Sequence, residues 1–87
     1  MHDDVQPADL ALVASADEIS IGRANSCQIV IPRQVVSRVH AFVSRDGQRY
    51  FLRDAGSVNG TFVNGARITR PHLLTDRDGI GLGAPAP

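Results

Sequence analysis

Residues 39–69 read VHAFVSRDGQRYFLRDAGSVNGTFVNGARIT, and the rhythm of this stretch decides the fold. Residues 39–44 and 50–53 are short strand-like runs, joined by a loop that holds Asp46-Gly47. Residues 61–63 lead into Asn64-Gly65 and then into residues 67–69. Asn and Asp tolerate positive φ and Gly has no Cβ to clash. The pairs Asp46-Gly47, Asn59-Gly60 and Asn64-Gly65 therefore predict tight hairpin turns.

The same pattern continues on both sides. Ile19 and Ile21 flank Ser20 with a period of two, and the β-branched run 29–31 is stopped by Pro32. Leu73-Leu74 and residues 80–82 complete the set. No stretch carries a sustained apolar stripe of period 3.6, so no helix is predicted. Many short strands punctuated by turn signals argue for an all-β sandwich or barrel. Residues 1–9 are polar, acidic and broken by Pro7, and read as a flexible tail. Residues 10–14 form a short apolar run. The chain closes on Pro and Ala, which reads as a disordered end over 84–87.

Length and composition narrow the function. Eighty-seven residues make one domain, placed here at 10–83. Hydrophobic residues make up 43%, but aromatics only 5% with no Trp, so the core rests on Val, Ile, Leu and Ala. Nine Arg and no Lys balance nine acidic residues. A neutral chain lacks the basic excess of a nucleic-acid binder, while its Arg forks suit phosphate or carboxylate. Cys27 is the only cysteine, which excludes an internal disulfide. Cys27 with His2, His40 and His72 has no ligand-like spacing, so no metal or other cofactor is expected. No apolar run reaches membrane-spanning length, and the expectation is a soluble cytoplasmic protein with no membrane contact.

Three polar clusters fall between strands: Gly22-Arg23 with Asn25-Ser26, Ser37-Arg38 with His40, and residues 57–61 (SVNGT). Loops on a rigid sheet are the usual seat of binding groups. Pooled, these loops offer guanidinium forks, hydroxyls and a side-chain amide. That set can give several charge-assisted hydrogen bonds to an oxyanion.

The runs IGRANSCQIVIP (21–32), VSRVHAFV (36–43) and LRDAGSVNGTFVNGARI (52–68), followed by LLTDRDGIGLG (73–83), resemble the forkhead-associated (FHA) domain. Its signature is Gly-Arg, then Ser-x-x-His, then Asn-Gly-Thr with a following Val-Asn-Gly, and both order and spacing agree. The resemblance implies an antiparallel β-sandwich that binds phosphothreonine peptides in signal transduction, without catalysis. The implied partner is a protein phosphorylated on Thr by a Ser/Thr kinase. By the same resemblance, Arg23 and Ser37 would hold the phosphate, and Arg38 would contact the phosphate or the peptide. Asn59 would bond the peptide backbone. Gly22 would let the chain turn sharply, His40 would tie the loops together from inside, and Gly60 and Thr61 would shape the loop that presents Asn59.

The chain departs from the family pattern in three places. Val58 stands where many relatives carry Thr, which can add a phosphate contact. Arg77 stands where Gly is usual and would be strained if its turn needs positive φ. The family's first and last strands have no counterpart here, which leaves run 10–14 without a neighbour and favours a homodimer through sheet edges.

Two other functions compete. One is the same fold binding a partner without phosphate. The other is a hydrolase with Ser37 as nucleophile, His40 as base and Asp54 as orienter. No strained elbow surrounds Ser37, which counts against the hydrolase. Arg33, Arg45, Arg49, Arg53 and Arg70 read as solvated side chains.

Overall fold

The computed structural model describes residues 17–85. The expected tail 1–9, the run 10–14 and the last two residues of the expected disordered end lie outside the described residues. Eight strands and no helix are present among the described residues. They are β1 (Glu18–Gly22), β2 (Ile29–Val30), β3 (Ala41–Asp46), β4 (Arg49–Asp54), β5 (Thr61–Val63), β6 (Ala66–Arg67), β7 (His72–Leu73) and β8 (Ile80–Leu82).

The strands form two sheets, with order β2-β1-β3-β4-β7 in one and β6-β5-β8 in the other. All pairings are antiparallel except that of the two-residue β2, which runs parallel to β1 with Ile21 opposite Ile29. Alternation in sequence becomes alternation in burial. Ile19 and Ile21 of β1, Ala41 and Val43 of β3 and Leu52 of β4 face inward. They meet Val63 of β5 and Ile80 and Leu82 of β8 from the other sheet. Val36, a loop residue, is also sealed into this core. Each such aliphatic side chain contributes roughly 1.5–3 kcal/mol on burial.

Two of the three expected hairpin pairs form hairpins. Asp46 pairs with Arg49 across a two-residue loop whose first residue, Gly47, has φ 63°. Asn64 and Gly65, at φ 52° and 83°, make the β5–β6 turn with both central residues left-handed. Asn59-Gly60 does not make a hairpin. It lies in the connection that carries the chain from β4 in one sheet to β5 in the other. Arg77 escapes the strain expected of it, because Asn64 is the only non-glycine residue with positive φ among the described residues.

Register fixes which ends of the strands lie together. Ile21 is opposite Ala41, and Ala41 is opposite Asp54. The ends of β1 and β4 and the start of β3 therefore sit at one end of the sandwich. Thr61 at the start of β5 joins them through a hydrogen bond to Asp54. All three polar clusters are carried to this end.

Candidate functional site

The segment 35–38 is the spine of the site, and the other two loops are bonded to it. The amides of Arg23 and Ala24 donate to the carbonyls of Ser37 and Arg38 at 2.9 and 3.0 Å. From the other side, the Val58 amide donates to Ser37 Oγ at 3.1 Å, and Asn59 Nδ2 donates to the Val35 carbonyl at 3.0 Å. Val36, 1% exposed, plugs the spine into the core between these contacts.

Gly22 is required by close approach and not by a sharp turn. Its φ is not positive. A Cβ there would sit 2.2 Å from the Arg38 carbonyl oxygen, so a side chain would force the first two loops apart.

His40 is fully buried and joins the second and third loops. The Ser37 amide donates to Nδ1 at 3.0 Å, so Nδ1 carries no proton. Nε2 then holds the hydrogen and donates to the Gly60 carbonyl at 2.7 Å. The same carbonyl accepts the Gly83 amide at 2.8 Å.

The third loop is shaped by Asp54. Its carboxylate accepts hydrogen bonds from Ser57 Oγ, from Thr61 Oγ1 at 2.7 Å, and from the Gly56 and Ser57 amides at 3.0 and 2.9 Å. Ser57 Oγ in turn accepts the Gly60 amide at 2.9 Å. Burial pushes the Asp54 carboxyl up, but these donors outweigh it and hold it below the usual carboxylate value. The result is a braced loop that lifts Val58 and Asn59 into solvent, with Val58 82% exposed.

What remains free defines the chemistry. Arg23 uses Nε on the Val36 carbonyl at 3.0 Å, which orients the guanidinium and leaves its terminal N–H groups unengaged among the described residues. Ser37 Oγ accepts from Val58 but still has its own hydrogen to give. Arg38 is exposed, and its side chain has no partner among the described residues. Asn59 uses its N–H on Val35 and keeps Oδ1 as an acceptor. One end of the sandwich thus presents guanidinium and hydroxyl donors beside a side-chain carbonyl, with Arg23, Ser37 and Asn59 each held by a bond made elsewhere on the same group.

The hydrolase arrangement is not assembled. His40 is sealed, and both its ring nitrogens are engaged by backbone groups. Asp54 serves Ser57 and Thr61 instead of orienting His40. No cluster of three metal-ligating side chains occurs among the described residues, and Cys27, 6% exposed, donates its thiol hydrogen to the Arg38 carbonyl at 3.3 Å. No helix among the described residues is long and apolar enough to cross a membrane.

A rigid β-sandwich whose loops display prepared donors at one end defines an interaction module. The FHA domain family matches residues 19–83, about three quarters of the chain, and the protein belongs to that family. An ABC transporter ATP-binding/permease protein of Mycobacterium tuberculosis is 46% identical over 65 residues, a match covering 75% of this chain and 7% of that protein. The chain spans only a small part of such relatives. Among solved structures, an FHA domain studied for phosphothreonine-dependent interactions superposes with a TM-score of 0.72 at 41% identity, covering 76% of this chain and 68% of the other. EmbR of M. tuberculosis, solved with a low-affinity phosphopeptide, superposes with a TM-score of 0.70 at 30% identity, covering 82% of this chain and 21% of the other.

Proposed function

We propose that this chain is a phosphothreonine-reading module that joins a phosphorylated partner protein to whatever carries the module, and that it performs no catalysis. The observation that carries this reading is the set of free groups on three loops joined through the segment 35–38. Arg23, Ser37 and Arg38 offer donors, and Asn59 offers an acceptor. A phosphorylated side chain brings nearly two negative charges and three strong acceptor oxygens. Hydrogen bonds to a charged group contribute on the order of 1.5–3 kcal/mol each, so two or three give reversible recognition once peptide ordering is subtracted. Arg23 and Ser37 take the phosphate, Arg38 adds charge beside it, and Asn59 Oδ1 accepts a backbone N–H of the peptide. The solved relatives studied with phosphothreonine or a phosphopeptide support the reading of the chain as a phosphopeptide-recognition module. A partner marked by a Ser/Thr kinase in the cytoplasm fits this chemistry.

Calorimetry with phosphorylated and unphosphorylated forms of one threonine peptide from a randomised library is the test. Binding of the phosphorylated form alone, lost in Arg23→Ala, is the expected result. Equal affinity for both forms would sink the proposal and leave the fold as a phosphate-independent adaptor.

A further inference from the structure

Gly83 follows β8 directly, and its backbone lies against two carbonyls that bear on Asn59. Its amide donates to the Gly60 carbonyl at 2.8 Å, on the oxygen that also accepts His40 Nε2 at 2.7 Å. On its other side, a Cβ would fall 2.3 Å from the Val35 carbonyl oxygen and 2.8 Å from the carbonyl carbon. That Val35 oxygen is the one that accepts Asn59 Nδ2 at 3.0 Å. Gly83 also has φ 82°, a left-handed conformation that glycine adopts without Cβ cost. The spaced motif that singled out Arg23, Ser37 and Asn59 assigns it no role.

These contacts close a circuit through the site. Val35 belongs to the spine, Gly60 to the third loop and Gly83 to the exit from the second sheet. The bare backbone of Gly83 lets the Val35 carbonyl stand where Asn59 can reach it, while its amide holds the third loop one residue beyond Asn59. In a planar side-chain amide, a bond that fixes Nδ2 also fixes the direction of Oδ1. Arg23 is oriented by the Val36 carbonyl and Ser37 Oγ receives the Val58 amide, so neither of these side chains is tied to Gly83.

We infer that Gly83 is a positioning residue for the peptide: by leaving room for the Val35 carbonyl, it aims Asn59 Oδ1 at the peptide backbone. The inference rests on the reading of Asn59 as the acceptor for a peptide N–H. Any side chain at 83 meets the Val35 backbone and must push that carbonyl aside. The Nδ2 bond then breaks, and Oδ1 turns with the plane of the amide. The loss falls on the peptide backbone contact and not on the phosphate.

The test is a double-mutant cycle of Gly83→Ala and Asn59→Ala, titrated with one phosphothreonine peptide. Each single variant should weaken binding about three- to tenfold, the worth of one hydrogen bond. Adding Gly83→Ala to Asn59→Ala should cost less than about twofold more, because the group it aims is already gone. The side-chain amide resonances of Asn59 should shift in Gly83→Ala. Wild-type affinity in Gly83→Ala, or losses that simply multiply in the double variant, would overturn the inference while the reading of Asn59 stands. Wild-type affinity in Asn59→Ala overturns that reading, and the inference with it. Gly83→Asn tolerates the positive φ better and carries the same Cβ, so it repeats the cycle if Gly83→Ala does not fold. Unfolding of both variants would show that Gly83 serves the whole fold and would overturn the positioning role.

Discussion

His40 Nε2 lies 2.7 Å from the carbonyl oxygen of Gly60, and the proton sits on that nitrogen because the Ser37 amide occupies the other. One buried ring therefore sets the spacing between the loop bearing Ser37 and the loop bearing Asn59. His40→Ala should cost about 3 kcal/mol, since it removes a partner from the part-buried Ser37 amide and from the buried Gly60 carbonyl and leaves a cavity. Urea unfolding would show the loss. The ring never touches ligand, so a preparation of the variant that remains folded should lose affinity through loop disorder. Wild-type amide protection at Ser37 and Gly60 in that variant would contradict this assignment.

Arg23 presents a narrower case, because its terminal nitrogens face solvent while Nε is tied to Val36. Arg23→Ala should lower phosphopeptide affinity by about 2–3 kcal/mol and stability by only about 1 kcal/mol, from the lost Val36 bond. Arg23→Lys should recover little of either. An ammonium supplies one point charge and cannot hold Val36 and a phosphate in the fixed directions of a guanidinium. Titration alongside thermal melts separates the two effects.

Gly22 is where the first two loops pass within a backbone's width of each other. Gly22→Ala places a methyl group against the Arg38 carbonyl, and the cost should reach about 3 kcal/mol or more. Because the clash pushes the segments bearing Arg23 and Ser37 apart, affinity should fall even in the fraction that stays folded. A correlation spectrum of the variant should show shifts running through residues 22–24 and 37–38. An unchanged spectrum with unchanged affinity would refute the close-approach argument.

The strands were legible in the sequence because each is short, apolar on alternate residues and bounded by Gly, Asn, Asp or Pro. β1, β4, β5 and β8 fall on the runs expected of them, while β3 covers 41–46 where 39–44 was expected. The parallel partnership of β2 was not legible, since two residues carry no period and pairing with β1 depends on the return of loop 23–28. Asn59-Gly60 looked like a hairpin pair because composition cannot say whether the flanking strands share a sheet. Arg23, Ser37 and Asn59 were singled out as candidates through a spaced motif, and the structure bonds the loops of Arg23 and Asn59 to the segment that carries Ser37. The bracing role of Asp54 was missed. Its signal was present in the spacing Asp54-x-x-Ser57, where a carboxylate can accept the amides and hydroxyl that follow it. Val36 and Gly83 act through packing against groups remote in sequence, which no local pattern records.

Asp54 gives the domain an acid limit. Burial raises its carboxyl, but the Ser57 and Thr61 hydroxyls and the Ser57 and Gly56 amides more than offset this and hold it below the ordinary 3.8. Asp78 is lowered in the same direction. Burial again opposes the shift, and the Thr75 amide, Asn64, His72 and the Thr75 hydroxyl outweigh it. In both cases the unfolded chain binds protons more readily than the folded one. Stability from these carboxylates is complete above about pH 4 and is lost as pH falls through the depressed folded values. Asp54→Asn should be less stable at neutral pH, because its NH2 group meets donors. Its stability should also fall less steeply with acid. Urea melts between about pH 2 and 7 check this, and parallel acid limbs for variant and wild type would count against it.

Val58 offers the opposite experiment, a gain. It stands at the tip of the third loop, 82% exposed, beside Asn59 and with its amide fixed on Ser37 Oγ. An apolar side chain there faces solvent and gives nothing to an anion. Val58→Thr keeps the β-branched shape and replaces a methyl group with a hydroxyl about as far from the backbone. The new O–H can donate to a phosphate held by Arg23 and Ser37. Exposure means the exchange should change stability by less than about 0.5 kcal/mol. One added hydrogen bond to a charged acceptor, reduced by solvent competition at so open a position, should tighten phosphopeptide binding by about 1 kcal/mol, or roughly fivefold. The unphosphorylated peptide should be unaffected, which separates a phosphate contact from a general change in the loop. Titration of both peptides against the variant decides the matter. An affinity identical to wild type would mean that the tip of the loop stands too far from the phosphate to touch it.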